Sequence, residues 1–344
     1  MDIDFVNPLC DSDWDRFAVS HPDYTFSHSA AWARVLSKTY GHVPVYLRCS
    51  QHGELVALIP MMEVQSPLTG RRGVCLPFTD FCGPLIFREG ASALAMVKLS
   101  EVARERRWKY FEVRGRRALE VSATPALTFY GHRLDLRSGA ENLRARFKSS
   151  TRRALRKAER SGLSVQVTRN PKAILEFYRL HVRTRRRHGL PPQPLSFFLN
   201  IHDEIIKPGF GFVVLVTRGS VSIAAALFLQ FGRETVYKFS ASDKRYQEFR
   251  GNNLVVWEGI RFLVQSGAES LHFGRTSLGN KGLRRFKLAW GAEEETIEYF
   301  KFDSARGAWV TGGDTESGLH DVVFGRLPLA LNRLAGAIIY PHID

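Results

Sequence analysis

Lys287 lies inside "GLRRFKLAWGA" (282–292), on what reads as a short helix. At about 100° per residue, Leu283, Phe286, Lys287 and Trp290 occupy positions i, i+3, i+4 and i+7 and share one face. Arg284, Arg285 and Ala289 point elsewhere. A lysine on an apolar stripe brings a cation into a low-dielectric place. There it can stabilise the oxyanion formed when an amine attacks an activated carbonyl, and an oxyanion donor contributes about 3–4 kcal/mol. The role requires a charged ammonium, so a polar cleft is expected around Lys287 in preference to full burial. The competing structural reading packs its stem on Trp290 and sends its head to Glu293 or Glu294.

Two carboxylates are placed to serve as general base, Asp243 in "SASDKRY" and Asp80 in "PFTDF". Each suits a turn equally well. Trp32, Arg152, Arg183, His188, Tyr246, Asn252, Asn253, Trp257 and Phe286 are the candidate substrate contacts. Arginines grip phosphate oxygens, and aromatic faces receive bases, sugars or cations. The sequence has no GxSxG elbow, HExxH, Walker A loop or GxGxxG fingerprint. None of its 11 histidines or 4 cysteines falls at metal-ligand spacing, so no metal site is expected.

The 344 residues carry 49 Lys+Arg against 34 Asp+Glu, a net charge of +15, which favours a polyanionic partner. The excess is concentrated. "LRARFKSSTRRALRKAERSGLSV" (143–165) has eight basic residues between Arg144 and Arg160 against the single acid Glu159. Helical spacing turns Leu143, Phe147, Ala154, Leu155 and Ala158 inward, with Gly162 as the stop. A second cluster, Arg183, Arg185, Arg186, Arg187 and His188, ends a helix that begins near Pro171, and Gly189 terminates it. The segment "YQEFRGNNLVVW" (246–257) stands between a strand and a helix, where glycine amides could cradle a pyrophosphate. Only Gly251 is present; Asn252 and Asn253 stand where further glycines would let backbone approach.

These residues need elements to hold them. Residues 43–64 and 211–231 each read as a β-hairpin, with turns at Gln51–Glu54 and Arg218–Ser220. Each is followed by a helix (91–107 and 252–267) and a short strand (108–115 and 270–276). Hairpin, helix and strand thus occur twice in one order, which predicts a duplicated α/β domain.

The chain resembles the Fem-type (FemAB-like) transferases, tandem GNAT-like proteins, and the related bacterial acyltransferases linked to exopolysaccharide and exosortase loci. The resemblance is carried by "TFSHSAAWARVLSKTYGHVPVYL" (25–47), "FTDFCGPL" (78–85), "FKSSTRRALRKAERSGLSV" (147–165), "YKFSASDKRYQEFRGNNLVVWEGI" (237–260) and "GLRRFKLAWGA". It implies an α/β fold of two GNAT-like (acyl-CoA N-acyltransferase-like) domains with mixed, mostly antiparallel sheets. The first is expected at 1–142, with 305–344 packing back on it, and the second, catalytic one at 143–304. It also implies an aminoacyl-tRNA or acyl-thioester donor, a phosphate-bearing envelope precursor as amine acceptor, and neither metal nor further cofactor. The family's Phe-Lys pair matches Phe286-Lys287.

Three functions are compatible with this reading. They are aminoacyl or acyl transfer in envelope biogenesis, with an acyl-CoA-dependent N-acyltransferase as its close variant; non-catalytic RNA binding through 144–160; and a degenerate scaffold. The first residues, "MDIDFVNPLCDSDW", have no signal-peptide pattern, and a cytoplasmic location is expected. The amphipathic stretch "FGRLPLALNRLAGAIIYPHID" allows peripheral contact with the inner membrane face.

Overall fold

Apolar runs bounded by turn residues become strands here, and the basic periodic segments become helices. The computed structural model describes residues 2–115, 123–311 and 324–343. It divides into unit 1 (Met1–Gly131, Glu295–Thr315, Ile339–Asp344) and unit 2 (His132–Glu294, Glu316–Ile338).

Unit 1 opens with β1 (Asp2–Val6), α1 (Trp14–Val19), α2 (Ala30–Tyr40) and β2 (Val43–Pro44). It continues through β3 (Tyr46–Gln51), β4 (Glu54–Ile59), β5 (Met62–Ser66), β6 (Gly70–Val74) and β7 (Leu85–Ile86), then α3 (Ala91–Glu105) and β8 (Tyr110–Gly115). Strands β1, β3, β4 and β7 form an antiparallel sheet in the order β1-β3-β4-β7. Helix α3 turns Ala95, Leu99 and Ala103 toward Leu47, Ala57, Ile59, Trp108 and Phe111. Fully burying a Leu, Ile or Phe side chain there contributes about 1.5–3 kcal/mol.

Strand β9 (Leu127–Asp135) leads into unit 2, whose elements are α4 (Ala140–Arg146), α5 (Ser149–Glu159), β10 (Ser164–Thr168), α6 (Pro171–Arg187) and α7 (Leu195–Ile201). There follow β11 (Gly211–Arg218), β12 (Val221–Phe231), β13 (Glu234–Ser242), α8 (Gly251–Gln265), β14 (Ser270–His272), β15 (Thr276–Ser277) and α9 (Lys281–Leu288). The sheet of this unit runs β10-β11-β12-β13-β14-β9. Its pairs are antiparallel except β13 with β14. The mixed sheet expected from the sequence is therefore present.

The even-numbered positions of β11 and β12, such as Val214, Ala226 and Phe228, share a core with Leu254, Trp257 and Ile260 of α8. On the other face Phe239 stands beside Leu227 in register and 5.3 Å, ring to ring, from Phe198 of α7. Both faces are covered, so the strands read as continuous apolar runs without alternation. Gly259 lets α8 approach closely, since a Cβ there would lie 2.2 Å from the Phe228 ring.

The basic stretch is two helices where one is expected. Phe147 and Lys148 are extended, and the Lys148 amide donates to Ala289 O at 3.0 Å, fixing the break. Leu143, Phe147, Leu155 and Ala158 face inward as expected; Thr151 is buried with them, and Ala154 is only half-buried.

The units change over at Gly131/His132 and Glu294/Glu295, upstream of the expected 142/143 and 304/305. Both changes fall inside strands, β9 and β16 (Glu293–Asp303), where apolar pattern gives no boundary signal. Strand β17 (Ala308–Val310) pairs with β16 in unit 1. The expected packing of the whole 305–344 segment on the first domain differs from the structure. Helix Leu329–Ile339 lies in unit 2 up to Ile338, because Gly336 seats it against Pro192 and Asn332 reaches Leu190 O.

Candidate functional site

Three adjoining cavities of unit 2 meet at the N-terminus of α8. The first, ≈190 Å³, is lined by Ser242, Asp243, Tyr246, Gln247, Arg250–Asn253 and Phe286, with Ile223 and Ala224 at its base. The second, ≈360 Å³, shares Ser242 and Asn252 and adds Thr184, Arg185, Arg187, His188 and Lys238. The third, ≈510 Å³, shares Arg250, Asn253 and Phe286, and extends between α5 and α9 along Ser150, Arg153, Lys157 and Arg285.

Local sequence builds each wall. Asn280 caps α9 by accepting from Leu283 N at 3.0 Å, and the helix ends where Ala289 O receives Lys148 N and, at 3.1 Å, Thr151 Oγ1. That junction sets α5 beside α9 and leaves a groove between their outer faces. Strand β13 carries a register shift opposite Leu227/Phe228, and such bulges re-aim neighbouring side chains. Its end is stitched to α6: Thr184 Oγ1 receives Ser242 N at 3.2 Å. Asn252 Nδ2 then donates to Ser242 Oγ at 3.1 Å. Helix α8 starts from Arg250, a left-handed residue at φ 60°, and no side chain caps it. Its first-turn amides and positive dipole end therefore favour an anion. Gly251 packs on Ala224 and Ile223 and leaves the facing role to the two asparagines.

The ≈510 Å³ groove has four cations on its wall, Arg153, Lys157, Arg250 and Arg285, and no carboxylate. All four side chains are exposed, and among the described residues none forms an ion pair. Unpaired guanidiniums around a helix N-terminus form a site for phosphate, at which bidentate hydrogen bonds can form.

The structure brings together five of the nine expected contacts and the candidate base Asp243, and separates the rest. Tyr246, Asn252, Asn253, Phe286 and Asp243 line the ≈190 Å³ cavity, and His188 lines the ≈360 Å³ one. Burial, with Arg187 and Arg185 nearby, holds the His188 imidazolium below its usual range. Arg183 lines none of these three cavities; its Nη1 sits 3.4 Å from Asp243 Oδ2. Arg152 turns back to donate to Ala145 O at 2.7 Å, and its neighbour Arg153 is the one that faces the groove. Trp257 is a core indole, 2 % exposed and edge-on to Phe147, and is not at the cavity surface. Trp32 is wholly buried in unit 1, and Asp80 also belongs to that unit.

Asp243 is committed to structure. Its carboxylate accepts from Arg245 Nη2 at 2.6 Å, from Arg245 Nε at 3.1 Å and from Arg245 N at 3.0 Å. The Arg245 hydrogen bonds hold it below the usual carboxylate range, and a base so stabilised is a weak proton acceptor.

Lys287 departs from the expected polar cleft. It is 4 % exposed, and Nζ donates to Gly274 O at 2.8 Å and Arg275 O at 2.9 Å. The helical-wheel face also differs: Leu283 is 39 % exposed, because α9 stops at Leu288 and only its second half faces the core. Burial, together with the Lys287 charge, pushes the imidazole of His132 down to about 4. Glu294 Oε2, 3.3 Å from His132 Nε2, opposes that shift.

Sequence reasoning missed Arg250 and Arg285, although Arg250 precedes the very segment considered as an anion cradle. Their outward placement was the available signal.

Residues 145–288 match the model of the acetyltransferase (GNAT) domain. No curated protein matches the chain in sequence. Among solved structures it is similar to FemX, with a TM-score of 0.68 at 14% identity over 87% of this chain and 97% of that one. A tandem GNAT protein from the clavulanic acid biosynthesis pathway gives 0.56 at 9% identity over 88% and 99%. The C-terminal domain of a putative lysylphosphatidylglycerol synthetase from Agrobacterium fabrum gives 0.55 at 14% identity over 95% and 96%. At such identities the structural likenesses establish the fold, while the domain match covers the groove and its walls. The chain thus has the fold shared by FemX and a tandem GNAT protein, and its residues 145–288 match the acetyltransferase (GNAT) domain.

Proposed function

We propose that the chain transfers an aminoacyl or acyl group from a phosphate-bearing donor to an amine of a cell-envelope precursor. The observation that carries this reading is the carboxylate-free groove of Arg153, Lys157, Arg250 and Arg285 at the uncapped start of α8. Phosphates of the donor lie along the cations, and the activated carbonyl enters the smaller cavity toward Tyr246, Asn252 and Phe286. The acceptor amine attacks that carbonyl; a C–N bond forms, the C–O or C–S bond to the donor breaks, and the released hydroxyl or thiol takes a proton. Two of the three solved structures named above, FemX and the synthetase domain, support the envelope assignment by analogy of fold.

Lys287 enters this reading as a positioning residue. It fixes α9 to the 274–275 backbone so that Arg285 and Phe286 face the groove. Two of the three N–H donors of its ammonium are given to these backbone carbonyls.

Titrating the full-length protein with an acyl-CoA and with an aminoacyl-tRNA tests the proposal. At least one binds, and Arg250→Ala/Arg285→Ala weakens it by about tenfold or more. Equal binding by the double variant removes the groove from the reading, and binding of neither donor removes the reading itself. The donor that binds assigns the leaving group as ribose hydroxyl or thiol.

A further inference from the structure

Helix Leu329–Ile339 presents its polar side chain inward and its leucines outward. Asn332 is fully buried, with Nδ2 3.5 Å from Leu190 O and 3.4 Å from Phe324 O. One turn on, Gly336 is seated so closely that a Cβ would lie 1.9 Å from Pro192 O. These contacts fix which face is hidden. The opposite face consists of Ala330, Leu331, Leu334, Ala337 and Ile338, all exposed. At about 100° per residue those five positions fall within an arc of about 120°. Leu331, Leu334 and Ile338 are 51%, 57% and 57% exposed. An ordinary surface helix has the reverse arrangement, and a contiguous apolar stripe rimmed by charge marks an interaction surface.

The rim is basic. Arg326 and Arg333 are exposed beside the stripe, and residues 324–343 contain no Asp or Glu. Arg333 is held at the border by its guanidinium lying 5.5 Å from the Tyr178 ring centroid.

We propose that this face docks on an anionic lipid surface, with the helix lying in the interface plane. An 11-residue helix is only about 16 Å long. One stripe of five side chains falls well short of the roughly 800 Å² per partner that a stable dimer buries. A bilayer needs no matching shape: an amphipathic helix sinks about 5–10 Å into the headgroup boundary, and flanking arginines meet anionic headgroups. No helix among the described residues is long and apolar enough to cross a membrane, so the contact is a surface one. The inference rests on the helix alone and stands apart from the donor groove.

Co-sedimentation of the full-length protein with phosphatidylglycerol/phosphatidylcholine vesicles tests it, with phosphatidylcholine vesicles as control. The wild-type chain sediments with the anionic vesicles. Leu334→Asp/Ile338→Asp, at two exposed positions, lowers the bound fraction by about tenfold or more, with melting temperature and elution volume unchanged. Arg326→Gln/Arg333→Gln lowers it by a smaller factor, about threefold or more. Failure of the wild-type protein to sediment, or equal sedimentation of the Asp variant, overturns the proposal. So does a wild-type dimer that the Asp variant converts to monomer, which would assign the face to a second copy.

Discussion

Lys287 and Arg285 are two residues apart on α9, yet they belong to different kinds of chemistry. Lys287 is 4 % exposed, with its ammonium on two backbone carbonyls beside His132. Arg285 is exposed in a groove that holds three other cations and no acid. The first charge is spent on two backbone carbonyls. The second is free to meet a ligand. One helix thus separates a charge that holds the structure from a charge that can bind, and the difference is read from partners more than from residue type.

The comparison is broken most severely at the buried member. Lys287→Met removes the charged donor to Gly274 O and Arg275 O and should cost about 3 kcal/mol of stability. Calorimetry checks this, and an unchanged melting temperature with a large loss of transfer would return Lys287 to direct contact with the carbonyl.

Acid reaches the same buried region by another route. His132 is neutral in the folded chain, with its folded value near 4, whereas the unfolded imidazole takes a proton near 6.5. Below about 6.5 the unfolded state binds the extra proton, so stability falls as pH drops from 6.5 toward 4. The expected loss is roughly 2 kcal/mol. His181, pushed down to about 3 mainly by burial, adds to the slope. Thermal melts between pH 7 and about 4.5 show the decline, and His132→Gln shows a shallower one. Parallel declines would mean that His132 does not titrate differently on folding.

At the exposed member the effect moves from stability to binding. Arg285→Glu should weaken donor affinity by about tenfold, near 1.4 kcal/mol. Stability should stay within about 0.5 kcal/mol of wild type. Titration and thermal melting together check both halves, and the reverse pattern would erase the contrast.

Asp243 sharpens the boundary between these cases, because it faces a cavity but is already paired. Asp243→Asn should slow transfer by less than about threefold, since its pairing with exposed Arg245 contributes only about 0–1 kcal/mol. A hundredfold loss, about 2.7 kcal/mol on the barrier, with an intact fold would restore it as the base.

Much of the fold was legible because the hairpins, α3, α6 and α8 carry strong apolar periodicity and clear stops at Gly, Asn or Pro. The break at Phe147–Lys148 was not, since it depends on a long-range bond to Ala289 O. Boundaries inside β9 and β16 were invisible because strands cross them. In the site, Tyr246, Asn252, Asn253 and Phe286 were recoverable from the strand-to-helix segment and the Phe-Lys pair. Arg152 against Arg153 was not, because a one-residue step around α5 exchanges a carbonyl of Ala145 for the groove. Trp32 and Trp257 misled through residue type alone: a tryptophan that can stack on a ligand is also the largest core filler.

The most direct test of the account is a donor titration of wild type and Arg153→Ala/Arg250→Ala/Arg285→Ala at two salt concentrations. The account predicts that a phosphate-bearing donor binds the wild type with salt-dependent affinity. It predicts that the triple variant loses both affinity and salt dependence while melting as the wild type does. A variant that binds the donor equally well, with the same response to salt, would contradict it.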